Sequence, residues 1–409
     1  MSDIKNNKIE IVSPAGNLEK LKFAVRYGAD AVYFGGDGFN LRIKSDNFSM
    51  EDIAEGVKFC RDNNVRSIFL LNSFLHEKQI NEAREYINAV KDFGFDAVMI
   101  SDPGMMMLFK ESGIKSDIHL STQMSTLNHL SIKFWTGAGI KRIVLARETT
   151  LDEIRMIREH TDAEIEIFVH GALCIAYSGR CLLSRFMAGR DANNGDCSHP
   201  CRWEYSLIEK KRPDSYMDII EHESGTEILS SFDLCLISKL DEYVKAGVSA
   251  FKIEGRMKSV YYTANVTRIY KHALQCTGTD SFKENIEFWN RELDQISHRP
   301  FTDDLFNEFG DTGFEKIKYV NKSMFMGYKT SFGESDKVEV KIGNPIRTGD
   351  ELEAIFPIKE KVIDGKFSVL EIIKPDGTNV DMARPDETYT IKFNGAVADN
   401  AIFRKAQLF

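Results

Sequence analysis

Residues 9–36 read IEIVSPAGNLEKLKFAVRYGADAVYFGG, and the reading of this stretch decides the fold. IEIVSPAG (9–16) is a short apolar run rich in β-branched residues that ends in small and polar ones, the pattern of a buried strand. NLEKLKFAVRYG (17–28) repeats its apolar residues at helical spacing, and AVYFGG (31–36) is a second strand. The same unit recurs through the first two-thirds of the chain. SIFLLN (67–72), AVMISD (97–102), IHLSTQ (118–123), RIVLARE (142–148), EIFVHG (166–171) and AFKIEGR (250–256) bring the strands to eight. Between them MEDIAEGVKFCRD (50–62), INEAREYINAVKDFG (80–94) and LDEIRMIREH (151–160) read as crossover helices covering a parallel sheet. Eight such units, roughly 20 to 35 residues each, close into an α/β (β/α)8 barrel; an open doubly wound sheet needs fewer strands.

In a barrel of this kind the chemistry sits at the C-terminal ends of the strands. Those ends carry Ser13, Asn72, Asp102, Ser121, Gln123, Arg147, Glu148, His170, Glu254 and Arg256, a polar ring suited to an anionic ligand. His170, Glu254, Arg256 and Asp102 are the candidates for catalysis. Asn72, Ser121, Gln123 and Arg147, with Lys252 and Lys258 of KIEGRMKS, are those for substrate binding, since Arg offers a planar fork of donors and Lys a point charge. The plain alternatives are helix caps and turn formers for Asp102 and Gln123, an internal ion pair for Glu254 with Arg256 or Lys252, and a loop-fixing hydrogen bond for His170.

About 80 residues separate His170 from the eighth strand, so a segment is inserted at 171–235. It holds Cys174, Cys181, Cys197 and Cys201, in the spacing C-x6-C-x15-C-x3-C. Four thiolates from one loop can hold zinc or an iron–sulfur cluster. Structural zinc uses narrower knuckles than the first pair, whereas a larger four-iron cluster tolerates spread ligands; buried free thiols are the bland reading. Cys235, in SSFDLCLIS, is a fifth candidate, although Leu234, Leu236 and Ile237 around it read as the opening of a core helix. Cys60 and Cys276 fall in helices and read as packing residues. Arg180, Arg185, Arg190 and Arg202 interleave with Tyr177, Phe186 and Trp203, a mix able to grip single-stranded RNA by charge and stacking, or simply a set of solvated loop arginines.

The chain of 409 residues exceeds what one core usually supports, so a barrel at 1–277, an irregular connection at 278–327 and a small antiparallel β-barrel at 328–409 form the expected division. The last part alternates in period two: KVEVKIG, ELEAIF, KFSVLEII and ETYTIKF. No run of about 18 apolar residues suggests a membrane span, and MSDIKNNKIE lacks the apolar core of a signal peptide. A cytoplasmic protein is therefore expected. Seven cysteines there argue for ligation or burial over disulfides. The net charge of −9 speaks against a strongly basic nucleic-acid binder but permits a local basic groove.

EIFVHGALCIAYSGRCLLS (166–184) resembles the signature of the U32 peptidase family, E-x-F-x2-G-[SA]-x-C-x4-G-x-C-x-x-S, with every fixed position filled. SPAGNLEKLKFAVRYGADAVYFGG (13–36), SDPG (101–104), HLSTQ (119–123), SSFDLC (230–235) and KIEGRMKS (252–259) are similar to that family's other blocks, in the expected order over residues 8 to 330. The C-terminal extension is similar to that of the tRNA-hydroxylating subgroup. The resemblance implies an oxygen-independent hydroxylase with a [4Fe-4S] cluster. Its substrate would be the anticodon loop of tRNA, its product 5-hydroxyuridine at the wobble position, and prephenate its small carboxylate cosubstrate. Carried over by position, Cys174 and Cys181 match the signature and Cys197 and Cys201 match a G-x-C-x3-C-R-W block, with Cys235 the alternative fourth ligand. A paralogous or homo-oligomeric partner is compatible with this reading. The family name points instead to a collagenase-like peptidase, but no HExxH or GxSxG occurs and an iron-bound thiolate cannot attack a peptide. A cluster-bearing electron carrier without its own substrate leaves the polar ring unexplained.

Overall fold

The structure is a computed structural model that describes residues 8–41, 47–174, 181–200, 207–208, 216–217, 220–222, 225–227, 232–303, 319–358 and 364–406. Eight parallel strands close on themselves: β1 (Glu10–Pro14), β2 (Ala31–Phe34), β3 (Arg66–Leu71), β4 (Ala97–Ile100), β5 (Asp117–Leu120), β6 (Arg142–Val144), β7 (Glu164–Ala172) and β8 (Ala250–Ile253). β8 pairs with both β1 and β7, which completes the (β/α)8 barrel expected from the sequence.

The helices begin where the sequence supplies caps. Asn17, Ser49, Asp102, Asn128 and Thr150 each accept a backbone N–H in the first turn of the helix that follows, at Leu18–Arg26, Met50–Asp62, Pro103–Glu111, His129–Gly137 and Leu151–Arg158. Ser49 and Thr150 form complete capping boxes with Asp52 and Glu153. Phe34 of β2 and Phe69 of β3 interlock with Phe48 and Phe95 from the flanking segments, with Phe69 and Phe95 stacked at 4.4 Å.

Inside the barrel the filling is ionic. Arg142 reaches Glu10 at 2.7 Å, Glu164 at 2.8 Å and Glu166 at 3.4 Å, while Glu10 also takes Arg66 at 3.2 Å. Glu166 is fully buried and holds Lys252 at 3.0 Å. Burial opposes the charge on Arg142, but Glu166, Glu10 and Glu164 hold its pKa above the ordinary value. A buried charge survives only with such partners.

β7 outlasts its neighbours. Its last residues turn from β8 to pair antiparallel with Asp233–Cys235, with Cys235 opposite His170 and Leu234 opposite Gly171. Cys235 therefore lies on a strand; helical structure starts later, as a short turn at Ile237–Lys239 and then the helix Leu240–Lys245, because backbone pairing with β7 captures Asp233–Cys235 first. A second difference concerns 278–327, expected to be irregular. Asp280–Leu293 is a helix whose Phe282, Trp289 and Leu293 are buried, an apolar stripe hidden by the surrounding charges. The terminal sheet begins at Ser323–Lys329 and runs antiparallel through Ser335–Ile342, Glu351–Ile355, Gly365–Ile373, Thr388–Val397 and Ile402–Ala406, closing where Glu351–Ile355 meets Gly365–Ile373.

This second unit packs against the barrel through the helix Val260–Cys276, which is buried all round from Val260 to Tyr270. Arg268 and Arg404 converge on Glu292 at 2.5 and 2.9 Å, Arg268 also holds Asp364 at 2.8 Å, and the Tyr27 hydroxyl donates toward the carbonyls of Ile355 and Asn400.

Candidate functional site

At the C-terminal end of the barrel the loop after β8 threads between β1 and β7. Two glycines permit this: a Cβ on Gly16 would stand 2.3 Å from the Arg256 carbonyl oxygen, and one on Gly171, at φ +106°, would stand 2.5 Å from that of Glu254. The Tyr33 and Tyr262 hydroxyls donate to the carbonyls of Ile253 and Glu254 at 2.9 and 2.8 Å, fixing the same loop. Arg256 is thereby buried, donating to Asn40 at 3.0 Å and Asn47 at 2.9 Å. Glu254 meets Arg147 at 3.3 Å, and the Arg147 guanidinium lies 4.4 Å from the Phe168 ring centre.

The other strand ends complete the ring. Asn72 is buried and its Oδ1 has no hydrogen-bond partner among the described residues. Ser121 caps the turn Thr122–Met124, in which the Gln123 side chain accepts from Ser101 at 3.3 Å. Asp102 is fully engaged: one carboxylate oxygen caps Met105 N at 3.0 Å and the other takes Leu75 N at 3.3 Å. It ties the loop after β3 to the helix after β4, the capping role rather than a free catalytic carboxylate.

Two lysines stand apart from the ring. Lys252 points into the barrel, bonded to Glu166, 3.8 Å from the Tyr33 ring centre and beside Met99 of β4. Burial pulls its pKa down, against the opposing pull of Glu166. Lys258 donates to the Ser297 carbonyl at 3.2 Å over the rings of Tyr262 and Tyr319.

His170 lies in an aromatic cage of Tyr262, Tyr270 and Phe301. The Tyr270 hydroxyl donates to the Val169 carbonyl at 2.8 Å, so its oxygen is left to accept from His170 Nδ1–H at 3.4 Å. That tautomer leaves Nε2 as a bare acceptor, and it is buried with no partner among the described residues. Burial pushes the His170 pKa down to about 3, with Asp233 opposing, so the imidazole is neutral. Cys235 shares Tyr270, at 3.7 Å, and burial pushes its thiol up to about 11.

The cysteine-bearing insertion leaves β7 and is next fastened to the loop after β3. Phe74 N donates to the Asn193 carbonyl, and His76 Nε2 lies 3.5 Å from Asp191. β3 and β7 are four strands apart in a ring of eight, hence on opposite sides. Residues 181–200, the strap, are thus fastened at the β3 side of the barrel mouth, across the ring from the end of β7. Asn193 Nδ2 holds the Cys181 carbonyl at 3.2 Å, and Ser184 and Ser198 bond at 2.9 Å, which draws the turns carrying Cys181 and Cys197 together. His199, at φ +53°, points its N–H at the Cys197 sulfur at 3.4 Å. Cys174, Cys181 and Cys197 are free and half-buried; Cys201 lies outside the described residues, as do Tyr177, Arg180, Arg202 and Trp203. Among the described residues no three His, Cys, Asp or Glu side chains are arranged to share one metal ion.

Residues 16–313 match the family model described as Peptidase family U32. This chain belongs to the U32 peptidase family. It is 35% identical to "tRNA hydroxylation protein P1" of Bacillus subtilis, over 98% of this chain and 95% of that protein. It is 32% identical to "tRNA hydroxylation protein P" of Escherichia coli, over 93% and 94%. A third relative, 33% identical over 87% of this chain and 89% of its own length, is "Collagenase" of Porphyromonas gingivalis.

For this U32 member, sequence reasoning missed the residues that hold the ring from behind. Glu166, Arg142 and His119 lie inside the barrel, and both His119 nitrogens are buried without partners among the described residues, its pKa held well below the ordinary value by burial and by Arg142, Arg66 and Lys252. Charges at alternate positions of strands covered on both faces, as in Glu164-x-Glu166, were the available signal. Tyr262 and Tyr270 carried none beyond helical spacing. No helix among the described residues is long and apolar enough to cross a membrane.

Proposed function

We propose that this chain is an RNA-modifying enzyme that converts the wobble uridine of tRNA to 5-hydroxyuridine without molecular oxygen, in the cytoplasm, with a [4Fe-4S] cluster and prephenate as hydroxyl donor. The observation that carries this reading is the match, along nearly the whole length of both proteins, to relatives named as tRNA hydroxylation proteins.

The donor chemistry supports the cluster. Cys174, Cys181 and Cys197 are unpaired thiols, and the strap that carries Cys181 and Cys197 is fastened beside the barrel mouth at the loop after β3. A single zinc ion needs its thiolates about 4 Å apart, given Zn–S bonds of about 2.3 Å, whereas a four-iron cluster takes one thiolate per iron and spreads them further. We assign Cys201 as the fourth ligand. Cys235 is bonded to Tyr270 and its buried thiol resists ionisation, which suits packing better than ligation. When bound, such a cluster supplies one-electron chemistry. The chain's own residues supply the rest: Arg147, paired with Glu254 at the rim, offers a guanidinium to an incoming carboxylate, and Asn72 offers an unused acceptor.

The relative named collagenase makes peptide hydrolysis the competing reading. Its natural pair among the described residues, Cys235 and His170, is tuned the wrong way. A cysteine nucleophile needs a low thiol pKa beside a protonated imidazole, and here burial pushes the thiol up to about 11 and the imidazole down to about 3.

The test is iron and acid-labile sulfide content of anaerobically purified protein, for wild type and for Cys174, Cys181, Cys197, Cys201 and Cys235 each changed to Ala, followed by nucleoside mass analysis of tRNA from cells lacking and regaining the gene. About four irons and four sulfides, lost in the first four variants only, with 5-hydroxyuridine restored by the gene, is the expected result. One zinc, or no metal, or tRNA unchanged in mass, refutes it.

A further inference from the structure

We infer that the exposed apolar face of the strap, centred on Phe186, is a stacking platform for an unpaired nucleotide of the RNA substrate; this rests on the RNA-modifying reading above. Phe186 is 85% exposed on the short helix Leu183–Ala188. Its orientation follows from Ser184, two residues earlier and so on the opposite face, which is fully buried and bonded to Ser198. Leu182, one turn before Phe186, is 72% exposed on the same side. Burying Ser184 to draw the two cysteine-bearing turns together therefore turns the apolar residues outward.

Three features point to single-stranded RNA as the occupant. The first is charge: between Cys174 and Trp203 the chain has four arginines against two aspartates, although its net charge is −9. Arg185, adjacent to Phe186, keeps 65% of its side chain exposed while contacting Asp191 at 3.5 Å. The second is position. Phe186 follows Cys181 by five residues, and the strap is fastened at the β3 side of the barrel mouth. The third is size. A stable protein interface needs about 800 Å² from each partner, far more than the exposed Leu182, Phe186 and Met187 offer, whereas one base needs a single aromatic ring. A duplex keeps its bases stacked on one another, so a lone protruding ring selects loop nucleotides.

The experiment measures binding of a fluorescently labelled anticodon-type stem-loop RNA, and of a fully paired duplex of equal length, to the anaerobically purified full chain. Phe186→Ala should weaken stem-loop binding at least about fivefold and leave the duplex unchanged, with Phe186→Trp restoring the wild-type value. Phe332→Ala is the control: that ring is 81% exposed but sits beside Arg26, at the far end of the first barrel helix from the mouth, and its loss should change nothing. Unchanged stem-loop binding by Phe186→Ala overturns the inference, as does equal loss for stem-loop and duplex, or a loss that tracks a changed oligomeric state. Failure of the wild type to bind the stem-loop refutes the RNA reading itself, which separates the two.

Discussion

His170→Phe should make the protein more resistant to acid, by an amount the structure sets. The substitution keeps a ring among Tyr262, Tyr270 and Phe301 and removes the unpartnered Nε2. Burial holds the native His170 pKa at about 3, against about 6.5 in an unfolded chain. Between those values the unfolded chain takes up a proton that the native state refuses. Stability is therefore unaffected above about pH 6.5 and falls as the pH drops toward 3, by about 1.4 kcal/mol per unit. From pH 7.5 to pH 5 the wild type should lose about 2 kcal/mol that the variant keeps. His119, also held neutral by burial, adds to the slope in both proteins and cancels in the difference. Urea unfolding of both proteins at pH 7.5, 6 and 5, followed by the fluorescence of buried Trp289, reads this difference directly. Parallel pH profiles would show that His170 protonates in the native state, and the cage described here would be wrong.

Glu166→Gln leaves Lys252 and Arg142 facing a neutral amide in the barrel interior and should cost about 3–5 kcal/mol in thermal or urea unfolding, whereas removing both charges with Glu166→Leu and Lys252→Met should recover much of it. A loss below about 1 kcal/mol for the single variant contradicts the buried pair. Asp102→Ala should lower stability by about 1 kcal/mol through the lost cap, with further loosening of the loop at Leu75; abolished activity with undiminished stability would instead return Asp102 to the catalytic set. Cys235→Ser should retain the iron content of the wild type, and iron loss would exchange it for Cys201 in the ligand set.

The architecture explains why the cysteines sit in an insertion and not on the strands. Each barrel strand offers one or two residues to the mouth, and the ion pairs inside the barrel and the caps behind it already use many of them. A segment that follows β7 and is fastened at the loop after β3 adds thiols beside the mouth without disturbing that packing. The second β unit is locked to the barrel by Arg268, Arg404 and Glu292, all buried, so it flanks the barrel as a fixed wall.

The sequence by itself determined the eight barrel strands, their order and several of the helices between them, because alternation and helical spacing are local properties of a few neighbouring residues. It also grouped the cysteines and marked the polar strand ends. Only the tertiary structure decided where several of these side chains go. The pleat of β8 sends Lys252 inward to Glu166 on β7, a partner 86 residues away that strand composition cannot name. Pairing with the overhanging end of β7 makes a strand of Asp233–Cys235, where apolar content suggested a helix. Closure of the barrel sets β3 opposite β7, so a segment that follows β7 in the chain is fastened at the far side of the ring. Each of these depends on contacts between residues far apart in the chain, which the folded sheet creates and local pattern does not encode.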